Sequence, residues 1–209
     1  MKKKYNKIAI LGNSKKFVKE VKKNYIYNSL EILSWRNLDQ IDNFGNFNLI
    51  IVCGFNFNLF YKSFRLFSKK NIDDPFRVLK KISNDKSVII YINTQKSNNK
   101  KRFTFSRYRY AKEVLAYKIN KNFKKKYIFN ADLITVNKKI SINASIISKL
   151  IFILFLKFKF IRKTEIKEIF PFINRNLNSK RNSQIRIRDC LLNVPRTQFI
   201  DRALRLILG

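Results

Sequence analysis

Short apolar runs alternate with helix-like stretches along the first two thirds of the chain, and this alternation constrains the fold most. Strands are predicted at 7–12, 30–35, 48–55 and 87–93, with a further strand within 127–136. Helices are predicted between them, at 15–23, 57–70, 73–82 and 108–120. Runs that are apolar throughout are typical of strands buried on both faces of a parallel sheet. The pattern therefore predicts an α/β protein with a doubly wound parallel sheet and right-handed crossovers.

The alternation fades near residue 137, which divides the chain into a sheet domain and an extension. Residues 138–173 are predicted to be mainly helical, and residues 174–209 to form a basic linker followed by an amphipathic helix. The apolar stretch 146–161 is interrupted by three lysines, so its unbroken part is far shorter than the ~20 residues of a membrane span. We therefore expect no transmembrane segment.

The net charge is the second strong constraint. The chain has 46 Lys and Arg against 13 Asp and Glu, a formal charge of +33 at pH 7. So much like charge opposes folding unless a polyanion neutralises it, and nucleic acid is the obvious polyanion. The abundance of Lys, Asn, Ile, Phe and Tyr indicates an A+T-rich genome of an organelle, an endosymbiont or a parasite. Composition and charge together favour a mitochondrial protein.

The chain lacks histidine, which excludes Ser/His and Cys/His nucleophile chemistry. Its two cysteines, Cys53 and Cys190, lie far apart and outside any metal-ligand spacing. We expect no bound metal. Any catalysis would have to rest on Tyr, Lys, Asp or Glu.

One segment carries a family resemblance. The strand Val-Ile-Ile-Tyr-Ile-Asn-Thr ends at Thr94, and Tyr108-Arg-Tyr-Ala-Lys112 follows it with the spacing Tyr-x-x-x-Lys. Here the chain resembles the short-chain dehydrogenase/reductase superfamily, especially its extended, NAD-dependent epimerase/dehydratase branch. The resemblance implies a Rossmann-like fold, with Thr94 as the catalytic hydroxyl residue and Tyr108 as the acid/base. It also implies that Lys112 lowers the pKa of that tyrosine and binds the nicotinamide ribose.

The cofactor loop departs from that family. Only Gly12 remains of the three glycines that let a dinucleotide approach the backbone, because Lys15 and Val18 hold the other two places. The second strand is followed by Arg36 where an acidic residue would hold the ribose, although an arginine would suit a 2′-phosphate. We therefore expect a non-catalytic scaffold without a cofactor, in which Thr94, Tyr108 and Lys112 are relics.

The basic charge is concentrated in segments that suit RNA. Residues 96–126 hold 12 Lys and Arg and one acid, interleaved with aromatic residues that include Tyr117. For Tyr117, burial against the core is an equally acceptable interpretation. The predicted RNA-binding residues are Lys2, Lys3, Lys4, Lys100, Lys101, Arg102, Arg107, Arg109, Lys124, Lys125, Lys126, Arg175, Lys180, Arg181, Arg186 and Arg188.

A compact domain with basic arms resembles the design of ribosomal proteins. The sequence therefore predicts a structural protein of a mitochondrial ribosome, with ribosomal RNA and neighbouring ribosomal proteins as partners. No DNA-binding motif is present, so no DNA specificity is expected. Two alternatives stay open: an NADP-dependent short-chain dehydrogenase or epimerase, and an accessory subunit of a respiratory complex, since one such family has this fold.

Overall fold

The structure, a computed structural model, describes residues 2–12, 14–35, 46–56, 62–94, 107–131, 133–137, 139–140, 163–176 and 185–186. Its strands are β1 (Lys3–Leu11), β2 (Tyr25–Leu33), β3 (Leu49–Val52), β4 (Val88–Thr94), β5 (Lys126–Ala131), β6 (Leu133–Val136), β7 (Lys139–Ile140), β8 (Lys163–Glu165) and β9 (Ile185–Arg186). Its helices are α1 (Lys15–Asn24), α2 (Phe64–Ser68), α3 (Asp74–Ile82), α4 (Arg107–Asn122) and α5 (Ile166–Asn176). A π-helical turn, Lys69–Asp73, joins α2 to α3.

Among the described residues, six strands form one sheet in the order β2-β1-β3-β4-β5-β9. Every pairing in this sheet is parallel. The crossover from β1 leads to β2 on one side, and β3 then returns to the other side of β1. The predicted doubly wound parallel sheet is therefore confirmed, with its switch point between β1 and β3.

Helices cover both faces of the sheet. On one face, Phe17 and Val21 of α1 pack with Ile169 and Phe170 of α5 over β1, β3 and β4. On the other face, α3 and α4 contribute a second buried cluster of aliphatic side chains, Val78, Leu79, Leu115 and Ile119. The four residues Leu49–Val52 of β3 are fully buried between these layers, which explains their uninterrupted apolar sequence.

The first two strands are longer than predicted. β1 begins at Lys3 and β2 at Tyr25, and the two pair along their whole lengths, whereas β3 pairs only with the second half of β1. In the first half of β1, exposed residues alternate with partly buried ones, and most of them are polar. Because this half is not apolar, the apolar run at 7–12 underestimated the length of the strand.

The helix after β3 begins differently from the prediction. At the predicted start of the helix 73–82, neither Asp73 nor Asp74 caps the helix with its carboxylate, because the π-helical turn runs directly into α3. Asp73 instead pairs with Lys118 of α4 at 2.7 Å, and the buried Asp74 pairs with Lys70 at 2.8 Å. Asn71 holds the loop after β3 by accepting a hydrogen bond from the Asn56 N–H at 2.8 Å.

Beyond residue 131 the chain forms a small sheet rather than only helix. Its strand order is β7-β6-β8, and it crosses the predicted boundary at 137, where Asn137 has a positive φ of 51°. Within the predicted linker, α5 continues to Asn176 and β9 pairs with β5. The predicted helices within 141–162 and 194–208, including the apolar stretch, lie outside the described residues. None of the helices described here is both long enough and apolar enough to cross a membrane.

We expect that α5 is an integral part of the sheet domain, so that truncating Phe170 destabilises the whole unit. Its ring is fully buried against Phe17 and Tyr25, with ring centroids 6.2 Å and 5.8 Å apart. Phe170→Ala should lower the free energy of unfolding by about 3–5 kcal/mol, measured by urea denaturation with circular dichroism. The control Phe64→Ala, at a half-exposed ring, should cost at most about 1 kcal/mol. An unchanged main transition in Phe170→Ala would show that α5 is a separate unit.

Candidate functional site

The carboxyl ends of β1 and β3 form the switch point, where doubly wound sheets bind their ligands. Gly12 follows β1 with φ +127°, a conformation that side-chain-bearing residues rarely adopt. Its N–H donates to the Leu33 carbonyl of β2 at 2.9 Å. A Cβ on Gly12 would lie 2.6 Å from the backbone of Gly54, so glycine is required here by the β1–β3 contact itself.

The indole ring of Trp35 lies on the same corner of the sheet. A Cβ on Gly54 would lie 2.2 Å from the ring, which shows that the ring packs directly on the glycine. Trp35 is 5% exposed, and its N–H is buried without a hydrogen-bond partner among the described residues. In dinucleotide-binding sheets, the end of the second strand supplies an acid for the adenosine ribose. Here a buried aromatic ring directly precedes Arg36, the residue at the place of that acid, and this ring was not predicted to be part of the site.

The residues at the places of the missing glycines both belong to α1. Lys15 is the exposed first residue of the helix, and Val18 packs its side chain against the core beneath. The Val18 N–H donates to the Ser14 carbonyl at 3.0 Å, an ordinary first-turn hydrogen bond. Val18 therefore serves the packing of α1 on the sheet. Asn13 and Arg36 lie outside the described residues.

The predicted relic residues occupy the ends of β4 and α4. Thr94 is the last residue of β4, and Tyr108 and Lys112 both lie on α4 with the predicted spacing of one helical turn. The side chains of Thr94 and Tyr108 lie outside what the structure describes, so their geometry with Lys112 is not part of the described site.

Lys112 is directed into the protein and not into solvent. It is 5% exposed, its ammonium donates to the Ile92 carbonyl of β4 at 3.0 Å, and it lies 4.9 Å from the centre of the Tyr91 ring. The Tyr91 hydroxyl in turn donates to the Lys112 carbonyl at 3.3 Å. These contacts join α4 to β4, so the Lys112 side chain is not part of an exposed basic surface.

Burial changes the titration of this lysine. It lowers the pKa of Lys112 to about 8, although the charge of the Cys53 thiolate opposes that shift. Burial also raises the pKa of the Cys53 thiol to about 12, so that Cys53 is a poor nucleophile at neutral pH. The described part of the chain contains no cluster of His, Cys, Asp and Glu that could hold a metal ion.

All the predicted RNA-binding residues except Arg107 and Lys126 fall into three groups. At the start of the chain, Lys2 and Lys4 are exposed and Lys3 is half-buried. Before β5, Lys124 and Lys125 are exposed, and Arg175 is exposed near the end of α5. The members without a described side chain are Lys100, Lys101, Arg102, Arg109, Lys180, Arg181, Arg186 and Arg188.

Arg107 and Lys126 differ from these exposed cations. The Arg107 guanidinium donates to the Lys62 carbonyl at 2.7 Å and lies 6.0 Å from the centre of the Phe64 ring. Its contacts fasten the start of α4 to the segment before α2. Lys126 is half-buried as the first residue of β5, beside Ile89 of β4.

Near Lys124 and Lys125 lie four more exposed lysines that were not predicted from the sequence to bind RNA. We define the α3/α4 lysine cluster as the six exposed lysines at the ends of α3 and α4 and in the loops that follow them: Lys80, Lys81, Lys86, Lys121, Lys124 and Lys125. Tyr117, on α4, is 65% exposed, so its interpretation as a core residue is wrong. The order of strands and helices in the sequence could have indicated this cluster, because in a parallel sheet the carboxyl ends of the covering helices meet at the amino edge of the strands.

No protein-family model and no curated protein sequence matches the chain. Its structure is similar to dTDP-4-dehydrorhamnose reductase of Bacillus anthracis in complex with NADP, with a TM-score of 0.60 and 12% identity over 91% of this chain and 76% of that one. A short-chain dehydrogenase/reductase superfamily protein from Agrobacterium tumefaciens with bound NAD gives 0.59 and 7%, over 84% and 74%. The ADP-L-glycero-D-manno-heptose-6-epimerase of Helicobacter pylori gives 0.58 and 10%, over 87% and 76%.

The structural neighbours are thus short-chain dehydrogenases/reductases and epimerases of the kind that the sequence resembles. Identities this low show a shared fold and nothing about a shared reaction. The expected Rossmann-like architecture, a parallel sheet with flanking helices, is confirmed.

We expect Gly54→Ala to force the Trp35 ring out of its position, because the new Cβ would overlap the ring. The variant should lose about 1–3 kcal/mol of stability, typical of overpacking, and its fluorescence should be quenched by acrylamide more strongly. Trp35 is the single tryptophan of the chain, so the emission reports on this corner alone. The control Asn46→Ala, at an exposed position, should leave the stability and the acrylamide quenching unchanged. Quenching as weak as in the wild type would show that the ring does not pack on Gly54.

Lys112 should make the stability of the protein depend on pH above neutrality. Because its pKa falls from 10.5 to about 8 on folding, the unfolded chain binds more protons between these values, and stability rises with pH. From pH 7.5 to 9.5 the free energy of unfolding should gain up to about 2 kcal/mol more in the wild type than in Lys112→Met. Equal slopes in urea titrations of the two proteins would contradict the burial of this ammonium.

Proposed function

We propose that the chain is a non-catalytic structural protein of a mitochondrial ribosome, in which a Rossmann-like sheet carries surfaces that bind ribosomal RNA. Neighbouring ribosomal proteins are its other proposed partners. The observation that carries this proposal is the arrangement of cations on α1. The helix exposes five lysines, while its one acid, Glu20, is half-buried.

This arrangement works against the helix itself. Lys15 and Lys16 stand in its first turn, where the helix dipole favours anions and a cation costs a few tenths of a kcal/mol or more. Lys15, Lys19 and Lys23 follow one another at four-residue spacing, which brings like charges together on one side of the helix. The sequence thus tolerates repulsion that a bound polyanion would remove. Phosphates of RNA supply such a polyanion and bind by releasing their counterions.

The carboxyl edge supports a scaffold role over catalysis. At the carboxyl ends of β1 and β3 the buried Trp35 ring packs on Gly54, and nearby the Lys112 ammonium donates to the Ile92 carbonyl. The resemblance implies a lysine that binds the nicotinamide ribose, whereas this lysine is engaged within the protein. The apolar contacts that remain there hold β1, β3 and β4 together and need no ligand.

One observation favours the alternative of an NADP-dependent reductase or epimerase. Lys15 and Lys16 lie at the start of α1 beside the switch point, where they would also suit a cofactor phosphate. This alternative predicts saturable NADPH binding that Lys112→Ala abolishes. The other alternative, an accessory subunit of a respiratory complex, predicts detergent-dependent co-purification with that complex.

The proposal predicts that the protein sediments with ribosomal particles in a gradient of a mitochondrial lysate and is released by high salt. For the purified protein, affinity for a ribosomal RNA fragment should fall by on the order of 10³- to 10⁵-fold between 50 and 200 mM salt, if six to ten phosphates are contacted. NADPH titrated against the Trp35 fluorescence is the control and should give no saturable change. A free monomer in the gradient, together with tight NADPH binding, would overturn the proposal.

A further inference from the structure

We propose that Tyr117 and the α3/α4 lysine cluster form a binding surface for an unpaired RNA segment. One base would stack on the Tyr117 ring, and the adjoining phosphates would lie against the lysines. This inference rests on the proposed RNA-binding function and adds to it a location and a preferred conformation of the RNA.

The cluster is brought together by the topology of the sheet. The loops before β4 and β5 lie side by side, since the Ile89 N–H of β4 donates to the Lys125 carbonyl at 2.9 Å. Across the two loops, the Lys124 ammonium lies 3.9 Å from the Asp85 carboxylate, with both side chains more than 80% exposed. An ion pair so exposed contributes little to stability, and Asp85 offsets only one of the six lysine charges, so the surface keeps its positive charge.

Below the lysines, α3 and α4 are joined by a well-defined contact. The rings of Phe76 and Phe123 meet edge to face with centroids 6.1 Å apart. Lys80 and Lys118 lie 5.0 Å and 5.4 Å from the centre of the Phe76 ring, and Lys118 also pairs with Asp73. The end of α4 is therefore fixed against the first turn of α3, and Lys80 reaches the same contact from the last turn of α3.

Tyr117 lies on the solvent side of α4, opposite the buried Leu115 and Ile119. Lys121 is one helical turn further on, about 6 Å along the axis, so the ring and that ammonium are neighbours. A single exposed ring on a protein surface is ordinary. An exposed ring beside Lys121, on a helix that leads into a cluster of lysines, has the composition of a single-strand binding surface, where bases stack on aromatics and phosphates contact cations.

Helix stability accounts for only part of the cluster. Lysines in the last turn of a helix offset the helix dipole, which explains Lys80, Lys81 and Lys121. Lys86, Lys124 and Lys125 come after the helices end, in the loops that lead into β4 and β5. These three are therefore the informative positions for a test.

An unpaired segment fits better than a duplex because the ring needs the face of a base. In a double helix the base faces are already stacked on each other, and a protein reaches mainly phosphates and hydroxyl groups. The lysines would attract either form of RNA. Only Tyr117 distinguishes between them.

The test compares a fluorescent 12-nucleotide uridine-rich RNA with a 12-base-pair RNA duplex, in fluorescence anisotropy titrations of the full chain. Tyr117→Ala should weaken binding of the single strand about 5- to 100-fold and change duplex binding less than twofold. Tyr117→Phe should bind like the wild type, because it keeps the ring. The control Phe64→Ala removes a half-exposed ring elsewhere and should have no effect on either RNA.

A double-mutant cycle ties the ring to the cluster. The triple substitution Lys86→Gln, Lys124→Gln and Lys125→Gln should weaken both RNAs and reduce the effect of Tyr117→Ala on the single strand to less than threefold. The matched triple on α1, Lys16→Gln, Lys19→Gln and Lys22→Gln, removes the same charge and should leave the Tyr117 effect intact. The six lysines replaced in the two triple variants are all exposed, so both variants should keep the wild-type melting curve.

The outcomes separate this inference from the proposed function. If the wild type binds RNA but Tyr117→Ala binds both probes like the wild type, or loses both equally, the inference is overturned and RNA binding stands. If the Tyr117 effect persists in the cluster triple and disappears in the α1 triple, the surface lies on α1. If the wild type binds neither RNA at low salt, the proposed function fails first and the inference fails with it.

Discussion

The burial of β1, β3 and β4 on both faces is the constraint on which the rest of the structure depends. Residues 8–11 and 49–52 have no accessible surface, so a helical layer is required on each side of the sheet. α3 and α4 supply one layer and α1 supplies part of the other, with α5 completing it. Because the core is apolar throughout, the charge of the chain is left for the outer faces of the helices and for the loops.

The same packing shapes the corner at the carboxyl ends of β1 and β3. β1 and β3 approach so closely that Gly12 and Gly54 touch, and the Trp35 ring covers the second glycine. On the other side of the switch point, Lys112 is drawn down to the Ile92 carbonyl and the Tyr91 ring. Lys112, which resembles a catalytic lysine in sequence, thus acts here as a contact between helix and sheet. A proposed role as scaffold follows from this use of the site.

The electrostatics of the surface are the counterpart of this ordinary core. The helix α1 carries lysines in positions where the helix dipole and like-charge repulsion oppose them, and the α3/α4 lysine cluster gathers six more at the amino edge of the sheet. Together with the net charge of +33, these surfaces motivate the proposal of an RNA partner. The amino edge is also the edge opposite to the switch point, so RNA binding there would not require Thr94, Tyr108 or Lys112.

The sequence by itself determined the fold class, the central strands and the helices α1, α3 and α4, because burial on two faces and helical amphipathicity are patterns among neighbours in the chain. It also determined the spacing of Tyr108 and Lys112 on one helix, and the net charge. It did not show the polar first half of β1, the strand β9 or the environments of Trp35, Lys112 and Tyr117. Those depend on residues far apart in sequence, from the 19 positions between Trp35 and Gly54 to the 56 between Phe129 and Ile185. Only the tertiary structure decided which lysine is buried and which ring is exposed, because sequence distance carries no information about contacts made across the sheet.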